Sequence, residues 1–289
     1  MKYKWVYLLI SSLVLVPGII SLLMWGLNPS IDFTGGTLLE YQFKNNISSE
    51  KIKSISGKYG FQLNSIQLSG KNSYLLRLRT ITNGQEEILR KDFGKDAGEI
   101  PSLVRFETVG PILGSELLQK TFIAAILATL GILSYVAYAF KNIKYGASAV
   151  LALFHDLLVV IGTFSLLGHF HHVEVDTLFV TAVLTTMSFS VHDTIVVFDR
   201  IRETLRKNPG QDFETIANQA MTETMGRSLN NSLTIAFMLL ALLLLGGTTI
   251  KWFVFALLIG TISGTYSSPF VATPILAIWN KFEEKRKQG

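Results

Sequence analysis

Two His-Asp pairs stand inside apolar stretches of this chain, His155-Asp156 and His192-Asp193. A charged side chain at membrane depth costs about 2.5 kcal/mol or more, so it persists where a partner, an ion or a proton stabilises it. Two such pairs in neighbouring segments point to a protein that moves or senses protons. The competing reading is that they are polar groups hydrogen-bonding helices together. Thr186, Ser190 and Asp193 recur at i, i+4 and i+7, a polar stripe on one helix face that suits either reading. Arg227, followed by Ser228, Asn230 and Asn231, is the candidate counter-charge; as a lone basic residue at a membrane edge it also reads as an anchor. His169, His171, His172, Glu174 and Asp176 crowd one short connection without metal-ligand spacing, so a solvated loop is expected there and no metal site. The Gly35-Gly36 pair lacks the Gly-Lys-Ser/Thr ending of a phosphate loop, so no nucleotide is expected.

These residues need elements to hold them at depth, and the composition supplies membrane spans. The chain has 289 residues, 49% apolar and only 16% charged. A span takes about 20 apolar residues, and six runs qualify: 5–27, 117–140, 147–168, 177–199, 229–249 and 252–279. Pro269 and Pro274 interrupt the last, predicting a kink or a partial exit from the hydrocarbon. No small-x-small cleavage site follows the first, so it reads as an uncleaved anchor. Gly260-x-x-x-Gly264, with Ser263, Ser267 and Ser268, gives the sixth span a small face for close helix packing.

The net charge of +5 is not a nucleic-acid signature, because the basic residues flank the spans. Lys2 and Lys4 precede the first; Lys141 and Lys144 lie between the second and third. Arg200, Arg202, Arg206, Lys207 and Arg227 lie between the fourth and fifth, and Lys281, Lys285, Arg286 and Lys287 form a basic tail, 281–289. The alternate connections are poor in Lys and Arg, which predicts cytoplasmic termini and an outward region between spans one and two. The absence of cysteine excludes disulfides, thiolate catalysis and Cys-based metal sites.

That outward region, 28–115, reads as strand, helix, two strands, helix, strand. The elements are 37–43, 48–59, 65–68, 74–79, 85–93 and 103–109, the ferredoxin-like α+β order. Residues 200–227 read as a cytoplasmic connection carrying an amphipathic surface helix around 213–221. The expected organisation is thus 1–27 as a first transmembrane helix, 28–115 as an outer domain, and 116–280 as helices two to six.

Taken together, the motifs resemble the SecF branch of the SecD/SecF family of bacterial protein-export membrane proteins, within the resistance-nodulation-division superfamily. The resemblance rests on Asp32-Phe33-Thr34-Gly35-Gly36-Thr37, Val109-Gly110-Pro111, Phe154-His155-Asp156, Ser190 to Thr194, Phe198 to Glu203 and Arg227-Ser228. It implies a six-span, non-enzymatic half-transporter in the inner membrane, paired with SecD. It further implies association with the SecYEG channel, YajC and exported polypeptides, use of the proton motive force, and no cofactor. Asp193 and Arg227 match the residues implicated in proton transport, with Asp156, His155 and His192 as secondary candidates. A self-sufficient exporter is the alternative from another class, disfavoured by a length giving six spans and not twelve. A passive scaffold is a third.

Overall fold

Local signals set the boundaries of the elements. The structure, a computed structural model, describes residues 4–140 and 142–288, without the side chains of Thr248, Lys287 and Gln288. Lys2, Lys141 and the side chain of Lys287, counted among the basic flanks, lie outside the described residues. Pro29–Ile123 forms one compact unit, and the helices before and after it form a second.

In the first unit a short helix, α2 (Ile31–Thr34), precedes strand β1 (Gly36–Gln42). Helix α3 (Ser49–Lys58) follows, capped where Ser48 accepts from the Lys51 amide. A hairpin, β2 (Leu63–Gly70) and β3 (Ser73–Leu78), comes next. Helix α4 (Asn83–Ala97) starts at a Thr82/Gln85 capping box and ends at Gly98 in the left-handed region. Strand β4 (Ser102–Val109) closes the set. The sheet order is β2-β3-β1-β4, antiparallel throughout, which is the ferredoxin-like arrangement.

Leu39, Tyr41 and Phe43 join Leu76 and Leu78 of β3 in a core with Ile52, Leu89 and Phe93 from the helices. Tyr41 donates to Glu86 inside it at 3.0 Å. Burial, and then the charge of Glu86, hold the Tyr41 hydroxyl well above the usual tyrosine range.

The two glycine stretches framing this unit do more than turn the chain. Gly35 has φ +72°, and a Cβ there would sit 2.7 Å from the Pro111 Cα. One added at Gly114 would meet the Gly35 nitrogen at 2.8 Å. Backbone therefore packs on backbone where the chain enters and leaves the sheet. Gly35→Ala is expected to cost about 1–3 kcal/mol, and exchange of the β1 amides should accelerate at least about tenfold. Unchanged exchange would contradict this packing.

The second unit is helical. It comprises α1 (Lys4–Trp25), α5 (Pro111–Ala139, which starts in the first unit), α6 (Ile143–His171), α7 (Thr177–Lys207), α8 (Phe213–Leu245), α9 (Thr248–Ser267) and α10 (Thr273–Gln288). Among the described residues six helices are long and apolar enough to cross a membrane, α9 and α10 counting together as Thr249–Arg286. They join through a five-residue π-helical turn, Ser268–Ala272. Pro269 has no amide hydrogen to donate, and the Thr273 amide bonds five residues back to Ser268, so the helix shifts register and continues.

The segment 200–227 differs from the expected surface helix. Its residues are the last turns of α7 and the first of α8, broken only around Asn208–Asp212. Arg200 ties the two by bonding Glu223 (2.5 Å) across the break and Glu203 (2.6 Å) on its own helix. The apolar residues 213, 216, 217 and 220 are buried against the bundle, so the amphipathic pattern reflects helix packing. The crowded histidines also have local structural uses. His169 stacks on Trp25 at 3.7 Å, and His172 adopts the left-handed cap of α6. Asp176 caps α7 by accepting from the Phe179 amide. Among the described residues no metal-binding cluster forms.

Candidate proton-coupling site

The close approach of α7 and α9 builds the site. A Cβ at Gly260 would fall 2.1 Å from Thr186 Cγ2, and one at Gly264 would fall 3.3 Å from Ser190 Cα. Gly260 and Gly264 thus let α9 lie directly against the polar stripe of α7. That contact brings Ser263 and Ser267 into reach of α6.

Asp156 of α6 is only 3% exposed and lies at the centre. Its Oδ1 accepts from Ser263 (2.6 Å) and from His155 Nδ1 (3.0 Å). Its Oδ2 accepts from Ser190 (2.5 Å) and Ser267 (2.6 Å). Four donors from three helices saturate the lone pairs of an ionised carboxylate. One residue on, Ser268 of the π-helical turn bonds Thr194 of α7 at 2.9 Å, so Ser267 and Ser268 present two successive hydroxyls to the neighbouring helices.

Asp193 has a different setting. It is half-buried, and its Oδ2 accepts from Ser228 of α8 at 2.9 Å. It lines a small open pocket of about 20 Å³, room for a water molecule, between α7, α8 and α9. Ser190, His192, Asn231, Ser232 and Thr265 share that lining. Ser190 therefore touches both carboxylate environments. His192 is exposed beside the pocket.

The polar stripe of α7 divides in use: Thr186 and Ser190 face α9 and α6, while Asp193 turns to α8. Arg227 is exposed and makes no ion pair or hydrogen bond among the described residues. The expected Asp193–Arg227 pair is replaced by a contact one residue along, because Ser228 faces α7 where Arg227 does not. The roles of Ser263 and Ser267 as donors to Asp156 were legible only as a small-residue face. Their i, i+4 spacing beside Gly260 and Gly264 was the available signal.

Residues 90–282 match the family described as Protein export membrane protein SecD/SecF, C-terminal, and residues 20–47 match the SecD/SecF GG motif, which contains Gly35-Gly36. The chain belongs to the SecD/SecF family. Among named relatives it is 43% identical to the protein translocase subunit SecF of Thermobaculum terrenum, over 96% of this chain and 92% of the relative. It is 33% identical to the translocase subunit SecDF of Bacillus subtilis, over 99% of this chain but 38% of that protein. The crystal structure of SecDF from Thermus, a translocon-associated membrane protein, superimposes with a TM-score of 0.85 at 29% identity. That match covers 97% of this chain and 39% of the SecDF chain, so this chain spans about two fifths of such SecDF chains. The SecD/SecF family assignment makes this a multi-pass membrane protein of protein export, a transporter-like subunit with six apolar helices and a ferredoxin-like unit.

Proposed function

We propose that this chain is the SecF half of a SecD–SecF assembly that uses the proton motive force to promote polypeptide export, with Asp193 as the proton-carrying group. The observation that carries the reading is the pocket at Asp193. It puts a carboxylate with one direct partner beside a water-sized space, among hydroxyl and amide side chains at membrane depth. Asp156, by contrast, is saturated by fixed donors and serves as the anchor of the bundle. Arg227 precedes Ser228 on α8 and supplies the cation that approaches Asp193 when α8 turns relative to α7. A SecD partner is supported by the match to two fifths of fused SecDF chains, since the remainder supplies the other half of the transporter. SecYEG and YajC are the further partners of this reading.

The same reading sets the orientation. Lys4 pairs with Glu214, Lys144 with Glu283 and Arg200 with Glu223, which gathers basic flanks at one end of the helical unit. The opposite connection, 169–176, has no Lys or Arg. The positive-inside rule then makes the basic end cytoplasmic and sends Pro29–Ile123 outward. Reporter fusions at Gly84 should read outside, and those at Asn208 and after Lys287 inside; an inward Gly84 reverses the orientation. Affinity purification of this chain should retain a SecD-like subunit, and its loss under mild detergent conditions would count against the pairing.

A further inference from the structure

Within the helical unit, Asp156 is the only buried carboxylate and His155 the only buried base among the described residues. His155 is 7% exposed, and its Nε2 is enclosed without a hydrogen-bond partner. The carboxylate beside it only accepts, so Nδ1 carries the hydrogen of the Nδ1–Asp156 bond. In the neutral ring Nε2 is then a bare acceptor.

A second enclosed and unpartnered atom is Ser11 Oγ on α1. Helices α1 and α6 run parallel, and their contacts keep one register. Ser21 bonds Ser165, 144 positions on, at 2.7 Å. Gly18 packs on Gly162 and Trp25 stacks on His169 at the same offset. That offset puts Ser11 at the level of His155. Ser11 also shares the buried face of α1 with Gly18 and Ser21, and it remains buried on the far side of Pro17. Two unmet polar groups, a hydroxyl that can donate or accept and a bare ring nitrogen, therefore occupy one level of one helix pair, where each is costly.

We propose that His155 is a second proton-accepting site of this protein, with Ser11 as its positioning partner; the proposal rests on the reading that the helical unit exchanges protons. One proton from the aqueous phase forms an N–H bond at Nε2. The ring becomes an imidazolium, Asp156 remains an anion, and the pair passes from one negative charge to none. The Ser11 hydroxyl accepts from the new N–H, tying α1 to α6 in the protonated state. The one charged group recorded against His155 is Asp156 on its own helix, and the groups that α7 and α9 bring to that carboxylate are the neutral hydroxyls of Ser190, Ser263 and Ser267. Other charges lie apart, with Asp193 held by Ser228 and Lys4 by Glu214.

The test is ¹⁵N-histidine NMR of the full chain in lipid nanodiscs across the pH range in which it stays folded. Five histidines are present, and His155→Gln identifies the signal. The expected result is an Nδ1–H tautomer at high pH that converts to the imidazolium on acidification. Ser11→Ala should lower the ratio of protonated to neutral His155 about tenfold at a given pH, the worth of one hydrogen bond to a charged group. The other four histidines should be unaffected. A His155 that stays neutral throughout, or an Nε2–H tautomer at high pH, overturns the site. A titration indifferent to Ser11→Ala overturns the partner. Because the measurement needs neither SecD nor export, its failure is separate from a failure of proton coupling at Asp193.

Discussion

Asp193→Asn should abolish the proton-driven part of polypeptide export while leaving the protein folded, abundant and assembled with its SecD partner. The substitution keeps the size of the side chain and an oxygen that accepts from Ser228, so the 2.9 Å contact and the α7–α8 packing survive. What it removes is the only titrating function of a carboxylate placed next to a water-sized pocket. The gradient-dependent export rate is expected to fall at least roughly tenfold, since an amide carries no proton. Arg227→Gln should give a related defect, and Arg227→Lys a milder one, because only the cation must be kept. The measurement is export of a reporter in cells without other copies, compared with and without a gradient. Full activity of Asp193→Asn at normal abundance would leave the structural reading of this carboxylate.

Asp156→Ala should fail differently, through stability. The substitution strips one acceptor from Ser190, Ser263, Ser267 and His155 at once, at the point where α6, α7 and α9 meet. Leaving buried donors unpaired costs about 1–3 kcal/mol for each, so the loss should come to several kcal/mol and the unfolding midpoint in detergent should drop by about 10 °C. Asp156→Asn, which retains one carbonyl oxygen, should lose roughly half of that. In sequence Asp156 is only a secondary proton-transport candidate, whereas its four donors make it a structural determinant of the bundle. An Asp156→Ala protein as stable as the parent would show that the four donors do not hold the bundle.

Much of the architecture was legible because its signals are local. Apolar length marks spans, alternation and turn residues mark strands, and Ser48 and Gly60 bracket a helix within the residues that define it. The Thr82/Gln85 capping box is equally local, and it starts α4 at Asn83, two residues before the expected 85. What remained hidden depends on rotation between helices. Asp156 and Asp193 look alike in sequence, each beside a histidine in an apolar run. Only the contact of Gly260 and Gly264 with α7 decides which receives the serines of α9 and which faces the pocket. Likewise Ser228 and Arg227 are adjacent, and a helix turns them about 100° apart. Composition could nominate the pair but not say which of the two meets Asp193. The amphipathic pattern at 213–221 misled for a related reason: an apolar stripe records burial without saying whether lipid or another helix covers it.

The most direct test of the central claim is proton flux in proteoliposomes containing this chain with its SecD partner and the channel. An imposed pH gradient would be read by a lumenal dye while an unfolded polypeptide is being translocated. The parent should dissipate the gradient faster in the presence of the translocating chain, and Asp193→Asn should reduce that stimulated flux to the level of empty vesicles. Stimulated flux that is equal in the parent and in Asp193→Asn would contradict the assignment of Asp193 as the proton carrier.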